Sequence, residues 1–130
     1  MKRKQPVKKH ILIVEDDLAL NDAFSTVLRK EGFNVSSAFN GREAIDLVLR
    51  DSIDLILLDI IMPVMDGTEF LRRLKSKALK IPIIVFSNLD GQNNVSEVYK
   101  LGATHYMLKA WASPRELVKI VKRTLSSQNH

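Results

Sequence analysis

The residues of this chain with the clearest chemical potential are acids that come directly after short apolar runs. Glu15 and Asp16 follow a run that ends at Val14, and Asp59 follows the run Leu55–Leu58. An acid beside a buried strand is costly unless it has a partner. If the three carboxylates meet, one must keep a proton or a cation must neutralise them. A site with only a few oxygen ligands suits Mg²⁺, which binds one or two carboxylates and keeps several waters.

Two further polar residues occupy equivalent places and supply complementary chemistry. Ser87 follows the run Ile83–Phe86, and Lys109 follows His105–Leu108. A carboxylate is a competent nucleophile toward phosphorus and forms an aspartyl phosphate. Phosphoryl transfer also needs positive charge and hydrogen bonding around the equatorial oxygens, which Mg²⁺, a lysine and a serine can supply. Together these residues indicate phosphoryl transfer to Asp59, provided that the fold brings them to one place.

The order of apolar runs and helical stripes predicts such a fold. Five short candidate strands alternate with stretches of helical periodicity: His10–Val14, Asn34–Phe39, Leu55–Leu58, Ile83–Phe86 and His105–Leu108. This alternation predicts an α/β fold of the flavodoxin-like type, a (βα)5 doubly wound parallel sheet with strand order 2-1-3-4-5. Ligands of such sheets bind at the carboxyl ends of the strands where the winding reverses, which is the edge that the polar residues share.

Local signals mark several helix boundaries. Asn40 with Glu43, and Asp66 with Glu69, have capping-box spacing. Ser113–Glu116 combines a serine cap, a proline at the first helical position and a glutamate at the third. The fourth helix, about residues 95–101, has the least regular pattern. The first helix is predicted from an apolar stripe: Leu20, Ala23, Phe24, Val27 and Leu28.

Composition and charge exclude several classes of function. The 130 residues fit one domain, and the lack of cysteine excludes a disulfide framework, a thiolate zinc site and a cysteine nucleophile. The net charge of +5 is matched by the five basic residues among the first nine. We expect a flexible basic tail at residues 1–8, the domain at 9–126 and a C-terminal tail at 127–130. We therefore expect a cytoplasmic protein without membrane association or direct nucleic-acid binding.

Several motifs, in order, resemble those of response regulator receiver domains, the CheY-like family of two-component signal transduction. The resemblance covers about residues 9–126. The motifs are Ile11–Asp17, Asp54–Gly67, Pro82–Ser87, and Gly102-Ala103 followed by Tyr106 and Lys109.

This resemblance implies a role for each polar residue in the acidic region. Asp59 would be the phosphoacceptor, and Glu15 and Asp16 would form the acidic pocket beside it. Asp16 and Asp59 would bind Mg²⁺ through their side chains, Ile61 through its backbone carbonyl and Glu15 through water.

The resemblance also implies a switch. Ser87 and Lys109 would bind the phosphoryl group, and Tyr106 would turn inward as Ser87 moves; a structural alternative is that Tyr106 is an amphipathic ring at a sheet edge. The surface of helix 4, strand 5 and helix 5 would then change its preference for a downstream protein or a homodimer. A histidine kinase or phosphotransfer protein would be the donor. The chain would not be an enzyme beyond catalysing its own phosphorylation and dephosphorylation.

Three departures from the family pattern bear on this interpretation. Ala110 replaces the proline that usually follows the lysine, so we expect a trans Lys109–Ala110 peptide, because cis before a non-proline costs about 2.5–4 kcal/mol. Asn88 replaces a small residue and either crowds the inward route of Tyr106 or adds a hydrogen bond. Apolar Ile61 and Leu89 cannot place an attacking water, which predicts a long-lived phospho-Asp59.

Three other interpretations compete with this one. A pseudo-receiver would use the same fold only as a binding module, as Ala110 and Asn88 mildly suggest. A phosphatase of the haloacid dehalogenase type would need a second aspartate where Ile61 stands. A flavodoxin-like cofactor binder would need a glycine-rich phosphate loop after strand 1, where this chain carries acids.

Overall fold

Five strands alternate with five helices in this computed structural model, which describes residues 8–60, 65–77, 79–87, 95–109 and 113–127. The strands are β1 (His10–Val14), β2 (Asn34–Ala38), β3 (Leu55–Asp59), β4 (Ile83–Ser87) and β5 (His105–Leu108). The helices are α1 (Leu18–Lys30), α2 (Gly41–Arg50), α3 (Gly67–Ser76), α4 (Val95–Lys100) and α5 (Pro114–Ser127). The predicted tails lie largely outside these residues, so the domain bounds remain a prediction.

The strands form one parallel sheet in the order β2-β1-β3-β4-β5, which confirms the predicted topology. The three inner strands are apolar because helices cover both of their faces. Helices α1 and α5 pack on one face of the sheet, and α2, α3 and α4 pack on the other. The winding reverses between β1 and β3, so the carboxyl ends of these neighbours flank the predicted site. None of the helices in the described part of the chain is long and apolar enough to cross a membrane.

Side-chain caps hold the helices that start near this edge. Asp17 accepts a hydrogen bond from the Leu20 amide at 3.1 Å, and the Asn40 and Asp66 side chains accept from Glu43 and Glu69 at 2.9 and 3.0 Å. Such caps satisfy amides that a helix leaves unpaired in its first turn. Local sequence therefore fixes where α1, α2 and α3 leave the sheet edge.

The start of α3 lies directly against the end of β3. A Cβ on Gly67 would lie 2.6 Å from Ile60 Cα and 2.8 Å from the Asp59 carbonyl oxygen. Gly67 also donates its amide to the Ile60 carbonyl at 2.8 Å. Only glycine allows this approach, and it holds the backbone that carries Asp59.

Two details differ from the sequence-based expectation. Asp59 and Ser87 are the last residues of their strands rather than the first residues after them. In α1 the predicted stripe included Ala23, but Ala23 is exposed. The buried face consists of Asn21, Phe24, Ser25 and Leu28 instead. The face is rotated because Asn21 has polar partners inside the fold, as described below.

Candidate functional site

Three predicted site residues meet at the carboxyl ends of their strands. Glu15 follows β1, Asp59 ends β3 and Lys109 follows β5. The Lys109 Nζ atom lies 2.6 Å from Glu15 Oε1 and 3.0 Å from Asp59 Oδ2. The contact with Asp59 is a hydrogen bond, whereas the contact with Glu15 is an ion pair without regular hydrogen-bond angles. One ammonium group therefore faces two carboxylates.

Glu15 is fully buried, and its environment disfavours the ionised form. Burial raises the pKa of the Glu15 carboxyl to about 7, and the neighbouring Asp59 charge acts in the same direction. A hydrogen bond of 2.9 Å from the Asp17 amide to Oε2 and the charge of Lys109 oppose this rise. Glu15 can therefore take up or release a proton near neutral pH.

Lys109 remains charged at this site. Burial by itself lowers the pKa of Lys109, but Glu15 and Asp59 outweigh burial and hold it above its usual value. The side chain is 16% exposed, and Nζ lies 5.6 Å from the centroid of the Phe86 ring. A cation at that distance over an aromatic face is attracted to it. Lys109 is thus a fixed positive charge between two acids.

The acidic pocket, made of Glu15, Asp16 and Asp59, has the ligand chemistry of a hard divalent cation. Carboxylate oxygens from the three residues lie within 4.8 Å of one another. Two oxygens bound to one Mg²⁺ lie at most about 4.2 Å apart, twice the metal–oxygen distance. The carboxylates would therefore move closer together to share an ion directly. Asp16 is exposed and provides the solvent-facing side, so the residues present fit Mg²⁺.

The phosphoacceptor candidate is accessible over only a small area. The Asp59 side chain is 4% exposed, and Lys109 contacts its Oδ2 atom. A reacting phosphoryl group must therefore reach Asp59 through a narrow opening, with Lys109 beside it.

Ser87 and Tyr106 lie on the neighbouring strands β4 and β5. Ser87 is fully buried and is opposite Leu108, and Tyr106 is opposite Val85. The Tyr106 ring packs against the core on the face covered by α2, α3 and α4. Its hydroxyl is buried and has no hydrogen-bond partner among the described residues. The ring is therefore turned toward the core, and its coupling to Ser87 remains a prediction.

Several predicted features lie outside the described residues. These are Ile61 with its carbonyl ligand, Asn88, Leu89 and the Lys109–Ala110 peptide. The expectations of a trans peptide and of slow hydrolysis therefore remain predictions.

Asn21 is a site neighbour that the sequence reasoning missed. Its Nδ2 atom donates to the Glu15 carbonyl at 3.0 Å and to the Ala38 carbonyl at 3.3 Å. Its Oδ1 atom accepts from Ser37 Oγ at 2.6 Å. The spacing of Asn21 to Phe24 and Leu28 was the available signal, since it places Asn21 on their buried face.

Comparisons with known proteins agree with the fold. A family model described as the response regulator receiver domain matches residues 11–122. The chain is 37% identical over 127 residues to the probable transcriptional regulator ycf29 of Porphyra purpurea, a match that covers 92% of this chain and 60% of the relative. The chain thus spans about three-fifths of that relative's length.

Solved structures give the same result. A CheY-like receiver domain protein from Methanospirillum hungatei superposes with a TM-score of 0.89 at 30% identity, covering 95% of this chain and 98% of that one. A signal receiver domain of a histidine kinase from Syntrophus aciditrophicus gives 0.82 at 32% identity, covering 92% and 91%. A DNA-binding response regulator of the LuxR family from Staphylococcus aureus gives 0.83 at 26% identity, covering 90% and 98%.

Proposed function

Because this chain belongs to the response regulator receiver domain family of two-component systems, we propose that it accepts a phosphoryl group on Asp59 with the help of Mg²⁺. The observation that carries this proposal is the meeting of Glu15, Asp59 and Lys109 at one edge of the sheet, with Asp16 in reach. Families of this kind are signalling modules rather than classical enzymes. The reaction is therefore a single transfer that changes the state of the chain itself.

Each residue of the site has a definable part in that transfer. Asp16 and Asp59 would hold Mg²⁺ by side-chain oxygens, and Glu15 would bind it through water. The ion would supply positive charge to the phosphoryl oxygens. An Asp59 carboxylate oxygen attacks phosphorus as the bond from phosphorus to the donor's histidine nitrogen breaks. That nitrogen keeps the bonding electron pair, and the donor imidazole leaves as a neutral group because its other ring nitrogen carries a proton.

Lys109 has a different partner before and after transfer. In the structure its ammonium balances Glu15 and Asp59, and it can leave them only when another cation takes over that balance. Once free, it can follow the charge that Asp59 gains and bind a phosphoryl oxygen together with the Ser87 hydroxyl. Its short distance to Asp59 supports this role.

The phosphorylated state would be read at the surface formed by α4, β5 and α5. Tyr106 lies on β5 next to the strand that ends in Ser87, and its buried hydroxyl lacks a partner among the described residues. Movement of Ser87 toward a phosphoryl group would change the space beside this ring. We propose that the readout is a downstream protein or a second copy of the chain, and that the donor is a histidine kinase or phosphotransfer protein in the cytoplasm.

Phosphorylation with a small donor tests the proposal directly. The protein is incubated with acetyl phosphate and Mg²⁺, and its intact mass is measured. We expect a phosphate-sized mass increase that disappears with EDTA and in Asp59→Asn. Asp46→Asn, an exposed acid on α2, is the matched control and should keep the increase. A folded wild type that gains no mass, from acetyl phosphate or from a phosphohistidine donor, would instead be a pseudo-receiver.

A further inference from the structure

We propose that Asn21 is a positioning residue that fixes the acidic pocket for the divalent cation. This inference rests on the proposed function, because it assigns Asn21 a part in the same site. The hydrogen bonds of the Asn21 side chain go to two backbone carbonyls and a serine hydroxyl. It acts through the backbone of Glu15.

Both polar atoms of the Asn21 side-chain amide form hydrogen bonds. Its Nδ2 group bridges the Glu15 and Ala38 carbonyls at 3.0 and 3.3 Å, and Oδ1 accepts from Ser37 Oγ at 2.6 Å. The residue is 1% exposed. A buried amide in this position is held in one orientation, since turning it would place Oδ1 against two carbonyl oxygens that cannot donate a hydrogen bond.

These bonds complete a clamp on the residue that begins the acidic pocket. The Glu15 amide donates to the Ala38 carbonyl at 3.0 Å, and the Glu15 carbonyl accepts from Asn21. Both ends of the Glu15 residue are therefore bound to the end of β2, directly or through Asn21. The direction in which the Glu15 and Asp16 side chains leave the backbone follows from this clamp.

A comparison within α1 separates this role from ordinary helix packing. Ser25 lies one turn after Asn21 and is also buried, at 3% exposure. Its hydroxyl donates to the Asp22 carbonyl in the same helix, 3.2 Å away, and none of its hydrogen bonds among the described residues reaches the acidic pocket. Ser25 thus shares the helix face of Asn21 but not the hydrogen bonds of Asn21 to Glu15 and β2.

Some residues do not bind the metal but form hydrogen bonds that orient its ligands. Removing such a residue commonly weakens metal affinity about 10–100-fold. We expect Asn21→Leu, which keeps the number and branching of the side-chain heavy atoms but loses all three hydrogen bonds, to weaken Mg²⁺ binding at least about tenfold. Ser37→Ala, which removes only the bond to Oδ1, should weaken it by a smaller factor. Ser25→Ala should leave it unchanged.

Two readouts test the inference without relying on phosphorylation. Mg²⁺ dissociation constants come from titration calorimetry, and amide hydrogen exchange of Glu15 is measured in the metal-free proteins. Faster Glu15 exchange together with weaker Mg²⁺ binding in Asn21→Leu supports the inference. Wild-type affinity in Asn21→Leu, or an equal loss in Ser25→Ala, overturns it.

The same experiment separates this inference from the proposed function. Should Asn21→Leu fail to fold, Ser37→Ala decides, and unchanged Mg²⁺ affinity in that variant overturns the inference. If the wild type itself binds no Mg²⁺, the proposed function fails together with the inference. If the wild type binds Mg²⁺ and is phosphorylated while the variants match it, only the role of Asn21 is wrong.

Discussion

The positive charge of Lys109 reduces the repulsion among the three acids at the edge of this sheet. A buried carboxylate without a partner is strongly destabilising, and here one ammonium serves both Glu15 and Asp59. The lysine that the sequence predicted as a phosphate ligand is therefore also the counter-ion of the unphosphorylated pocket. A bound Mg²⁺ would compete with Lys109 for the same negative charge.

This competition predicts opposite effects of Lys109→Met on binding and on chemistry. At pH 8 we expect Mg²⁺ to bind a few-fold to about tenfold more tightly, because a positive charge beside the site is gone. We expect phosphorylation by acetyl phosphate to slow by about a hundredfold, since the transition state loses a charged donor. Calorimetry and the rate of mass increase measure the two effects.

Lys119→Met is the matched control for that experiment. Lys119 is exposed and 3.8 Å from Glu116, away from the pocket, and its loss should change neither quantity. Weaker Mg²⁺ binding in Lys109→Met would show that the lysine supports the metal rather than competing with it.

The raised pKa of Glu15 predicts how stability depends on pH in the metal-free protein. Burial raises the folded-state pKa to about 7 from an ordinary value of 4.5. Between these values the folded state holds a proton that the unfolded chain has lost, so the free energy of unfolding falls as pH rises from 4.5 to 7. We expect this fall to amount to about 1 kcal/mol or more.

Glu15→Gln supplies the comparison, because glutamine resembles the protonated acid at every pH. Urea unfolding of both proteins in EDTA, from pH 5 to pH 8, isolates the contribution of Glu15 from that of the histidines. The stability of the wild type should decline relative to Glu15→Gln over this range. If the free energies of unfolding of the two proteins changed with pH in parallel, the pKa of Glu15 would not be raised.

Among the elements, the end of β3 and the start of α3 form one unit around Asp59. The Asp66 cap and the close approach of Gly67 place the helix against the backbone of Asp59 and Ile60. Strain introduced at this contact would pass to Asp59, since the two atoms nearest to an added Cβ, Ile60 Cα and the Asp59 carbonyl oxygen, belong to the backbone.

Gly67→Ala tests this connection. The added Cβ would lie 2.6 Å from Ile60 Cα, so backbone must move. We expect the free energy of unfolding to fall by about 1–3 kcal/mol and phosphorylation of Asp59 to slow. Thr68→Ala, one residue further into α3, adds no atoms and should affect both quantities much less. Urea unfolding and phosphorylation rates compare the two, and equal behaviour would argue against the connection.

The elements also show how far sequence reasoning could reach. The sequence predicted the bounds of four strands closely, namely β1, β3, β4 and β5. A strand that is covered on both faces has a continuous run of apolar residues, which is easy to recognise. The caps at Asn40, Asp66 and Ser113 were predicted because their partners lie three residues away. Both signals are local in the chain.

Features that depend on distant partners were harder to predict. Asn21 was not singled out from the sequence, because its hydrogen-bond partners Glu15, Ser37 and Ala38 become visible only in three dimensions. The sequence brought Lys109 to the right edge but did not reveal that it contacts both Glu15 and Asp59. Topology was enough to locate the site, whereas its pairings required coordinates.

On the scale of the whole molecule, the acidic pocket links parts of the chain that folding must bring together. Glu15 and Asp16 follow β1, and Asp59 ends the adjacent β3, so a cation bound to all three joins two central strands. A ligand that binds only the folded chain stabilises it by mass action. Metal binding should therefore be visible as global stability.

We expect Mg²⁺ at one hundred times its dissociation constant to raise the free energy of unfolding by about 2.7 kcal/mol. EDTA should reverse the gain, Asp59→Asn should lose most of it and Asp46→Asn should keep it. Thermal or urea unfolding measures each case. An equal gain in Asp59→Asn would mean that Mg²⁺ stabilises the chain from another place.

The buried Tyr106 hydroxyl has no hydrogen-bond partner among the described residues. A buried hydroxyl that gains a partner recovers about 1–3 kcal/mol. A hydrogen bond formed there would therefore hold the ring against the core, in the orientation that the family resemblance assigns to the phosphorylated state.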